Sequence, residues 1–504
     1  MMSGLGMRSP RTGALLWLLV TVIAIGSGLQ KNSVVVDGAL GVNWGTISNN
    51  PLPPGYVAQM LRASNLTKVK IFDSDFSVIR SMAGEDIEVM VAAPNDLLAE
   101  LASDPSVAVD WVTQNITQFL FTPGGVNIKW VAVGNEPFLT AYNNSYVNTT
   151  FPALQNMQNA LNQAGHSEVR AVIPFNADVM ANNGSLPSTS SFKSEYLPQL
   201  RQILSLLNST GAPFIVNLYP FISAFQANGN FPIEYAFFDG TTPVTDGNYI
   251  YYNELDASYD SLVVALAAEG YPNMPIVLGE VGWPTDGTAL ANNSLAQKFN
   301  QELVDHFLSG KGTPRRPGIE LEGYLFSLLD EDAKSVAPGP FERHWGIYYY
   351  DGTAKYELNL AGPNLNVLNT LVNAVNPPYM APMYCVLASG NIDLTNLTEN
   401  TKYACTYADC TDLLTGGSCS NLTTEAMASY AFNSYFQAQN QNSAACDFQG
   451  LAQTTTQDPS QGTCKFNIGL QHFSPSSASR SFMVFSFLPL LISAFVTSIL
   501  LVST

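Results

Sequence analysis

Apolar residues fall in short blocks along most of this chain, and a second periodicity fills the gaps between them. Runs rich in β-branched or aromatic residues recur at Leu40–Trp44, Val69–Phe72, Glu88–Ala92, Ile128–Val133, Val169–Pro174, Phe214–Leu218, Ile276–Leu278 and Gly323–Ser327. Polar or glycine residues follow each run. In the gaps, Val57, Met60 and Leu61 repeat at helical spacing, as do Val107, Trp111, Ile116 and Phe119, and Leu262, Val263, Leu266 and Ala267. Ser103 or Asp104 before Pro105 predicts a helix start, and Gly165 and Gly270 predict helix stops. Apolar strands alternating with helices imply a parallel sheet with helical crossovers. Eight such repeats predict an α/β fold closed into a (β/α)8 TIM barrel over 37–375, with an open sheet as the alternative.

The pattern changes outside that span. Arg8 and Arg11 precede an apolar stretch from Ala14 to Ile25, and Gly26, Ser27 and Gly28 follow it. This predicts a signal peptide over 1–28, a retained signal anchor being the alternative. Residues 376–382, Asn-Pro-Pro-Tyr-Met-Ala-Pro, predict a short, stiff linker. Beyond it the composition turns to Asn, Thr, Ser, Gln and Cys, which predicts a second domain over 383–466. All six cysteines lie there: Cys385, Cys405, Cys410, Cys419, Cys446 and Cys464. In a secreted chain they indicate three disulfides stapling a small domain, with the pairing left open. A zinc site would need paired C-x-x-C spacing, which is absent.

The tail, 467–504, carries a hydrophobic block from Phe482 to Val502 with no charge after it. Small residues precede it at Ser474, Ser476, Ser477, Ala478 and Ser479. A spacer followed by a GPI-attachment signal is predicted, with Ser476 as candidate site and a retained transmembrane helix as the alternative. Sequons at Asn65, Asn115, Asn143, Asn148, Asn183, Asn208, Asn292, Asn396 and Asn421 agree with a secreted glycoprotein.

With 504 residues, 46% of them hydrophobic, a large core is available. A formal net charge of −19 argues against nucleic-acid phosphates as a partner and fits an uncharged polysaccharide. No His/Asp/Glu cluster has ligand spacing and no phosphate-binding glycine loop follows a strand, so no metal or cofactor is predicted.

Active sites of such barrels lie at the C-terminal ends of the strands. The fourth run reads Trp130-Val131-Ala132-Val133-Gly134-Asn135-Glu136-Pro137, and the seventh Pro275-Ile276-Val277-Leu278-Gly279-Glu280-Val281-Gly282-Trp283-Pro284. Each places a glutamate immediately after a hydrophobic strand, where an idle carboxylate is costly. Either one alone reads equally as a capped or ion-paired surface residue. The two together, on strands facing each other across one barrel mouth, point to glycoside hydrolysis. That chemistry needs one protonated and one ionised carboxyl.

The stretches Val133-Gly134-Asn135-Glu136 and Gly279-Glu280-Val281-Gly282-Trp283-Pro284 resemble the acid/base and nucleophile motifs of glycoside hydrolase family 17, the plant-type endo-β-1,3-glucanases. Gly41-Val42-Asn43-Trp44-Gly45, Asn217-Leu218-Tyr219-Pro220-Phe221, Asp330-Glu331-Asp332-Ala333-Lys334 and Glu342-Arg343-His344-Trp345-Gly346 agree with it. The resemblance implies a retaining β-1,3-glucan endohydrolase with Glu136 as proton donor and Glu280 as nucleophile. It implies Asn135 on the sugar 2-hydroxyl, and Phe72, Asn217, Tyr219 and Trp283 along the cleft. Glu331, Lys334 and Glu342 would form a charged cluster supporting the nucleophile.

Past the linker, Cys385, Tyr403-Ala404-Cys405, Asp409-Cys410, Gly417-Ser418-Cys419, Ala428–Phe436, Cys446-Asp447-Phe448 and Asp458–Cys464 resemble carbohydrate-binding module family 43. That resemblance implies a mainly helical glucan-binding domain with bridges Cys385–Cys446, Cys405–Cys410 and Cys419–Cys464. Tyr430, Tyr435 and Phe436 are its candidate sugar-facing aromatics, and Tyr384 stands where the family commonly has Trp. The combined expectation is a monomeric hydrolase of callose-like β-1,3-glucan, held by a GPI lipid on the outer face of the plasma membrane. A glucan-binding wall protein with little turnover and a β-1,3-glucan transglycosylase are the alternatives.

Overall fold

The computed structural model describes residues 40–120, 124–181, 186–363 and 368–471. The predicted signal peptide, Asn183, Ser476 and the block from Phe482 to Val502 lie outside them.

Nine parallel strands form the main sheet: β1 (Leu40–Trp44), β2 (Lys68–Ile71), β3 (Glu88–Ala93), β4 (Asn127–Val133), β5 (Arg170–Val172), β6 (Pro174–Asn176), β7 (Phe214–Asn217), β8 (Ile276–Val281) and β9 (Glu322–Leu325). Their spatial order is β5-β4-β3-β2-β1-β9-β8-β7-β6. The two ends of that order are consecutive in the chain, with only Ile173 between them. β5 pairs with β4 through Trp130↔Arg170, and β6 pairs with β7 through Pro174↔Ile215. The fifth predicted run is therefore two strands and not one. Closing a barrel staggers the ladders, and the break at Ile173 lets one stave serve neighbours in different registers. The result is a (β/α)8 barrel of eight staves.

Helices cover the outside, so the strands are buried on both faces; Val89, Val131, Val133, Ile215 and Val216 are fully buried. The helix Pro54–Ala63 buries Val57, Met60 and Leu61. Asp104 starts the helix Pro105–Val112 by accepting from Ser106 N at 2.9 Å. Gly165 (φ +80°) and Gly270 (φ +92°) follow the ends of helices Val147–Gln163 and Glu254–Ala268 in the left-handed conformation.

The second domain pairs Tyr384–Leu387 with Ala452–Thr455 and packs them on the helices Leu397–Tyr407 and Thr424–Ala438. Disulfides join Cys385 to Cys446, Cys405 to Cys410 and Cys419 to Cys464, the pairs the resemblance implies. Packing continues beyond the predicted boundary at 466. Leu470 is buried in the barrel's core, and Tyr350 OH donates to Ile468 O at 2.7 Å. A polar stretch with few apolar residues gave no sign of this. The linker is also tied down: Tyr379 OH donates to Asp351 Oδ2 at 2.6 Å, and Met380 N to Gly469 O at 2.9 Å. No helix among the described residues is long and apolar enough to cross a membrane.

Candidate active site

β4 ends at Val133, and a left-handed turn separates it from Glu136, with φ +79° at Gly134 and +50° at Glu136. A Cβ on residue 134 would lie 2.5 Å from Asn95 Oδ1, so the turn requires glycine. Asn95 clamps it: Oδ1 accepts from Asn135 N at 2.9 Å, and Nδ2 donates to Asn135 O at 2.8 Å. Glu136 N donates to Pro174 O at 2.8 Å. Glu280 lies within β8, where the register against β7 shifts between Leu278 and Glu280. Such an irregularity re-aims a side chain. Neither glutamate simply follows its strand; one is turned by a loop and the other by a bulge.

Glu136 Oε1 accepts from Asn217 Nδ2 at 2.8 Å, and Asn217 is also the register partner of Glu280 across β7 and β8. The residue that holds Glu136 is thus the strand neighbour of Glu280. Glu280 Oε1 lies 2.5 Å from Lys70 Nζ, and its Oε2 accepts from Tyr219 OH at 2.6 Å. Lys70 is fully buried; its Nζ also donates to Asn135 Oδ1 at 3.1 Å and lies 4.3 Å from the Phe72 ring centroid.

Burial, reinforced by the charge on Glu280, raises the Glu136 pKa to about 7, against the pull of Asn217 and Lys70. Burial holds the Lys70 pKa below the ordinary lysine value despite Glu280. Burial and then Glu280 push the Tyr219 phenol well above the usual tyrosine value, so it donates to the carboxylate.

The other predicted residues divide. Lys334 Nζ donates to Glu342 Oε2 at 2.9 Å, and Glu331 Oε1 accepts from Ile47 N at 3.2 Å. Burial opposes the Lys334 charge, but Glu342 and Glu331 outweigh it and raise its pKa. The direct partners of Glu280 are Lys70 and Tyr219, and the predicted cluster acts on it only through space. Phe72 is half-buried and edge-on to Phe326, 6.2 Å between centroids.

Three more of the predicted residues are placed by their packing. Asn217 is buried, and its amide donates to Glu136. Tyr219, partly buried, packs its ring 5.1 Å from Trp345 and donates its hydroxyl to Glu280. Trp283 is fully buried, stacked on Phe237 at 4.7 Å and beside Phe299 at 5.2 Å, with Nε1 donating to Leu290 O. It is core, because the helix Asn293–Phe307 covers it. Lys70 and Asn95 escaped the sequence reading. The sign of Lys70 was a lone cation inside the apolar run Val69–Phe72.

In the second domain Tyr430, Phe436 and Tyr384 are buried, and Tyr430 OH donates to Asp412 Oδ2 at 2.5 Å. Tyr435 is partly buried against Tyr403. The exposed rings belong to the neighbouring helix: Tyr403 and Tyr407, 49% and 57% exposed, 5.1 Å apart. Their spacing of one helical turn is the signal that identifies them. Of the sequon asparagines, Asn143, Asn148, Asn208, Asn292, Asn396 and Asn421 are exposed, whereas Asn65 and Asn115 are half-buried, Asn115 with Nδ2 donating to Trp111 O at 2.9 Å.

A parallel (β/α)8 barrel that keeps a proton on one buried carboxyl near neutrality, and sets a second against a lysine and a phenol, defines a glycoside hydrolase. The chain matches Glycosyl hydrolases family 17 over residues 40–360 and the X8 domain over residues 383–453. It belongs to glycosyl hydrolases family 17. It is 48% identical over 467 residues to glucan endo-1,3-beta-glucosidase 8 of Arabidopsis thaliana, covering 92% of this chain and 96% of that protein. Glucan endo-1,3-beta-glucosidase 5 of the same plant is 46% identical over 449 residues, covering 88% and 91%. Among solved structures, CJP38, a beta-1,3-glucanase and allergen of Cryptomeria japonica pollen, is 35% identical with a TM-score of 0.61. The match covers 65% of this chain and 100% of that one.

Proposed function

We propose that this protein hydrolyses internal β-1,3-glucosidic bonds of β-1,3-glucan with retention of anomeric configuration. The observation that carries this is the unequal pair: Glu136 holds its proton up to about pH 7 while Glu280 is ion-paired to Lys70. Glu136 donates that proton to the glycosidic oxygen as the C1–O bond breaks, and a Glu280 oxygen bonds to C1. Lys70 and Tyr219 orient that carboxylate. Water then attacks C1 of the glycosyl-enzyme, Glu136 takes the water's proton, and Glu280 leaves as carboxylate. The linkage is supported by the names of the family 17 relatives.

The X8 domain holds the enzyme on insoluble glucan, and the exposed rings of Tyr403 and Tyr407, flanked by Tyr435, give it a surface for sugar faces. Secretion and GPI anchoring are supported by the two terminal hydrophobic segments and by the three disulfides. Release from plant membranes by a phosphatidylinositol-specific phospholipase tests the anchor.

The catalytic test is NMR of a β-1,3-gluco-oligosaccharide digest, beside Glu136→Gln and Glu280→Gln. A β-anomer appearing first, and loss of activity in both variants, is expected. An α-anomer appearing first refutes retention, and products longer than the substrate assign transfer in place of hydrolysis.

A further inference from the structure

The segment Pro340–Gly346 has two faces. Toward the active site, Glu342 pairs with Lys334, and the Trp345 ring backs Tyr219, whose hydroxyl holds Glu280. Between them, Arg343 and His344 turn to the X8 domain. An Arg343 terminal nitrogen lies 3.0 Å from Asp409 Oδ1, and His344 Nε2 lies 2.7 Å from Thr411 Oγ1 and 3.3 Å from Asp412 Oδ1. Arg343 Nε also donates to Lys334 O at 2.7 Å. A single guanidinium therefore ties the X8 domain to the backbone of the residue that pairs with Glu342.

The X8 side of this contact is braced. Asp409 Oδ1 accepts from Thr411 N at 2.9 Å and Oγ1 at 2.7 Å, the Cys405–Cys410 disulfide closes the loop, and Tyr430 holds Asp412. A second contact reaches the loop that follows Glu280. Ser418 N donates to Asp286 Oδ1 at 2.9 Å, and a Cβ on Gly416 would lie 2.6 Å from Ala289 N. His344 O in turn accepts from Thr285 N and Oγ1, both at 2.8 Å. Beside these contacts lies a cavity of about 660 Å³ between the two domains, lined by Asn49, Asn292, Tyr349, Asn433 and Lys465 among others. Apart from the Leu470 and Tyr350–Ile468 contacts, the polar contacts of the docking thus converge on the loops leaving β8 and β9.

We infer that the X8 domain is a structural part of the catalytic site: Asp409, through Arg343, fixes the Glu342–Lys334 pair and the Trp345 wall behind Tyr219. Asp409 and Arg343 are positioning residues. Their effect is separate from any hold the X8 domain has on glucan, and the inference rests on reading the barrel as a β-1,3-glucanase.

The test uses full-length Asp409→Asn and Thr411→Val, assayed on a short, soluble β-1,3-gluco-oligosaccharide. The first variant's amide keeps an acceptor for Thr411 N and loses only the charge facing Arg343. Thr411→Val removes the His344 partner and is the second route if the first variant unfolds. Misplacement of catalytic groups by a fraction of an ångström predicts a fall in kcat of about ten-fold for Asp409→Asn, with KM within about two-fold. The alkaline limb of the kcat profile shifts with it, because Lys334 is one of the charges acting on Glu136. Unchanged kcat and pH profile in folded variants, or a rise in KM alone, overturns the inference. Wild-type protein inactive on this substrate defeats the glucanase reading instead.

Discussion

Replacing Lys70 by methionine removes the cation bonded to Glu280 and changes little in volume. In the wild type the two side chains are 1% and 6% exposed and 2.5 Å apart. Breaking a buried pair by deleting one partner costs about 3–5 kcal/mol, because the remaining charge stays uncompensated. Here the Tyr219 hydroxyl would be left facing it. Without its counter-ion the carboxylate is no longer held in line with the anomeric carbon, and a misplacement of about 1 Å costs on the order of 10² in rate. Two measurements read this: kcat/KM on a β-1,3-gluco-oligosaccharide across pH, and the urea unfolding midpoint. Expected are a loss of that size at pH 6 and a lowered midpoint. Lys70→Met with kcat/KM within about three-fold of wild type at pH 6 would falsify the assignment of Lys70 as the nucleophile's counter-ion.

Further expectations follow from the same geometry. Tyr219→Phe deletes one hydrogen bond to a charged carboxylate, worth about 1.5–3 kcal/mol, so kcat/KM should fall about ten- to hundred-fold; a smaller change shows that the bond does not act in the transition state. Because Glu136 must carry a proton, activity should be lost as pH rises through about 7. Asn217→Ala removes a donor that favours ionised Glu136, so that limb should move to higher pH; a downward shift contradicts the assignment. Tyr403→Ala with Tyr407→Ala should weaken retention on insoluble β-1,3-glucan in a pull-down, and equal retention removes them from the binding surface.

The strands were legible because parallel strands covered on both faces leave continuous apolar runs, and the two glutamates because carboxylates at the ends of such runs need a reason to be there. What stayed hidden depends on partners distant in sequence. Val169–Pro174 reads as one strand until β4 and β7 claim its two halves at the seam. Trp283, beside a catalytic motif, reads as a sugar platform until Phe237 and Phe299 enclose it. Lys70 reads as a strand cation reaching for solvent until Glu280, far along the chain, is found opposite. Arg343 likewise finds Asp409 in another domain. The family resemblance supplied the cysteine pairing, which spacing alone left open.

Glu136 occupies a backbone conformation, φ +50°, that costs a residue with a Cβ roughly 1–2 kcal/mol and costs glycine nothing. A chain shaped for persistence alone would carry glycine there, two residues after Gly134. Glu136→Gly should therefore be inert yet harder to unfold than Glu136→Ala, by up to about 1 kcal/mol once glycine's greater freedom in the unfolded chain is offset. Glu136, the proton donor of the mechanism proposed above, sits where the fold itself would prefer no side chain, so that role is kept at some expense of durability.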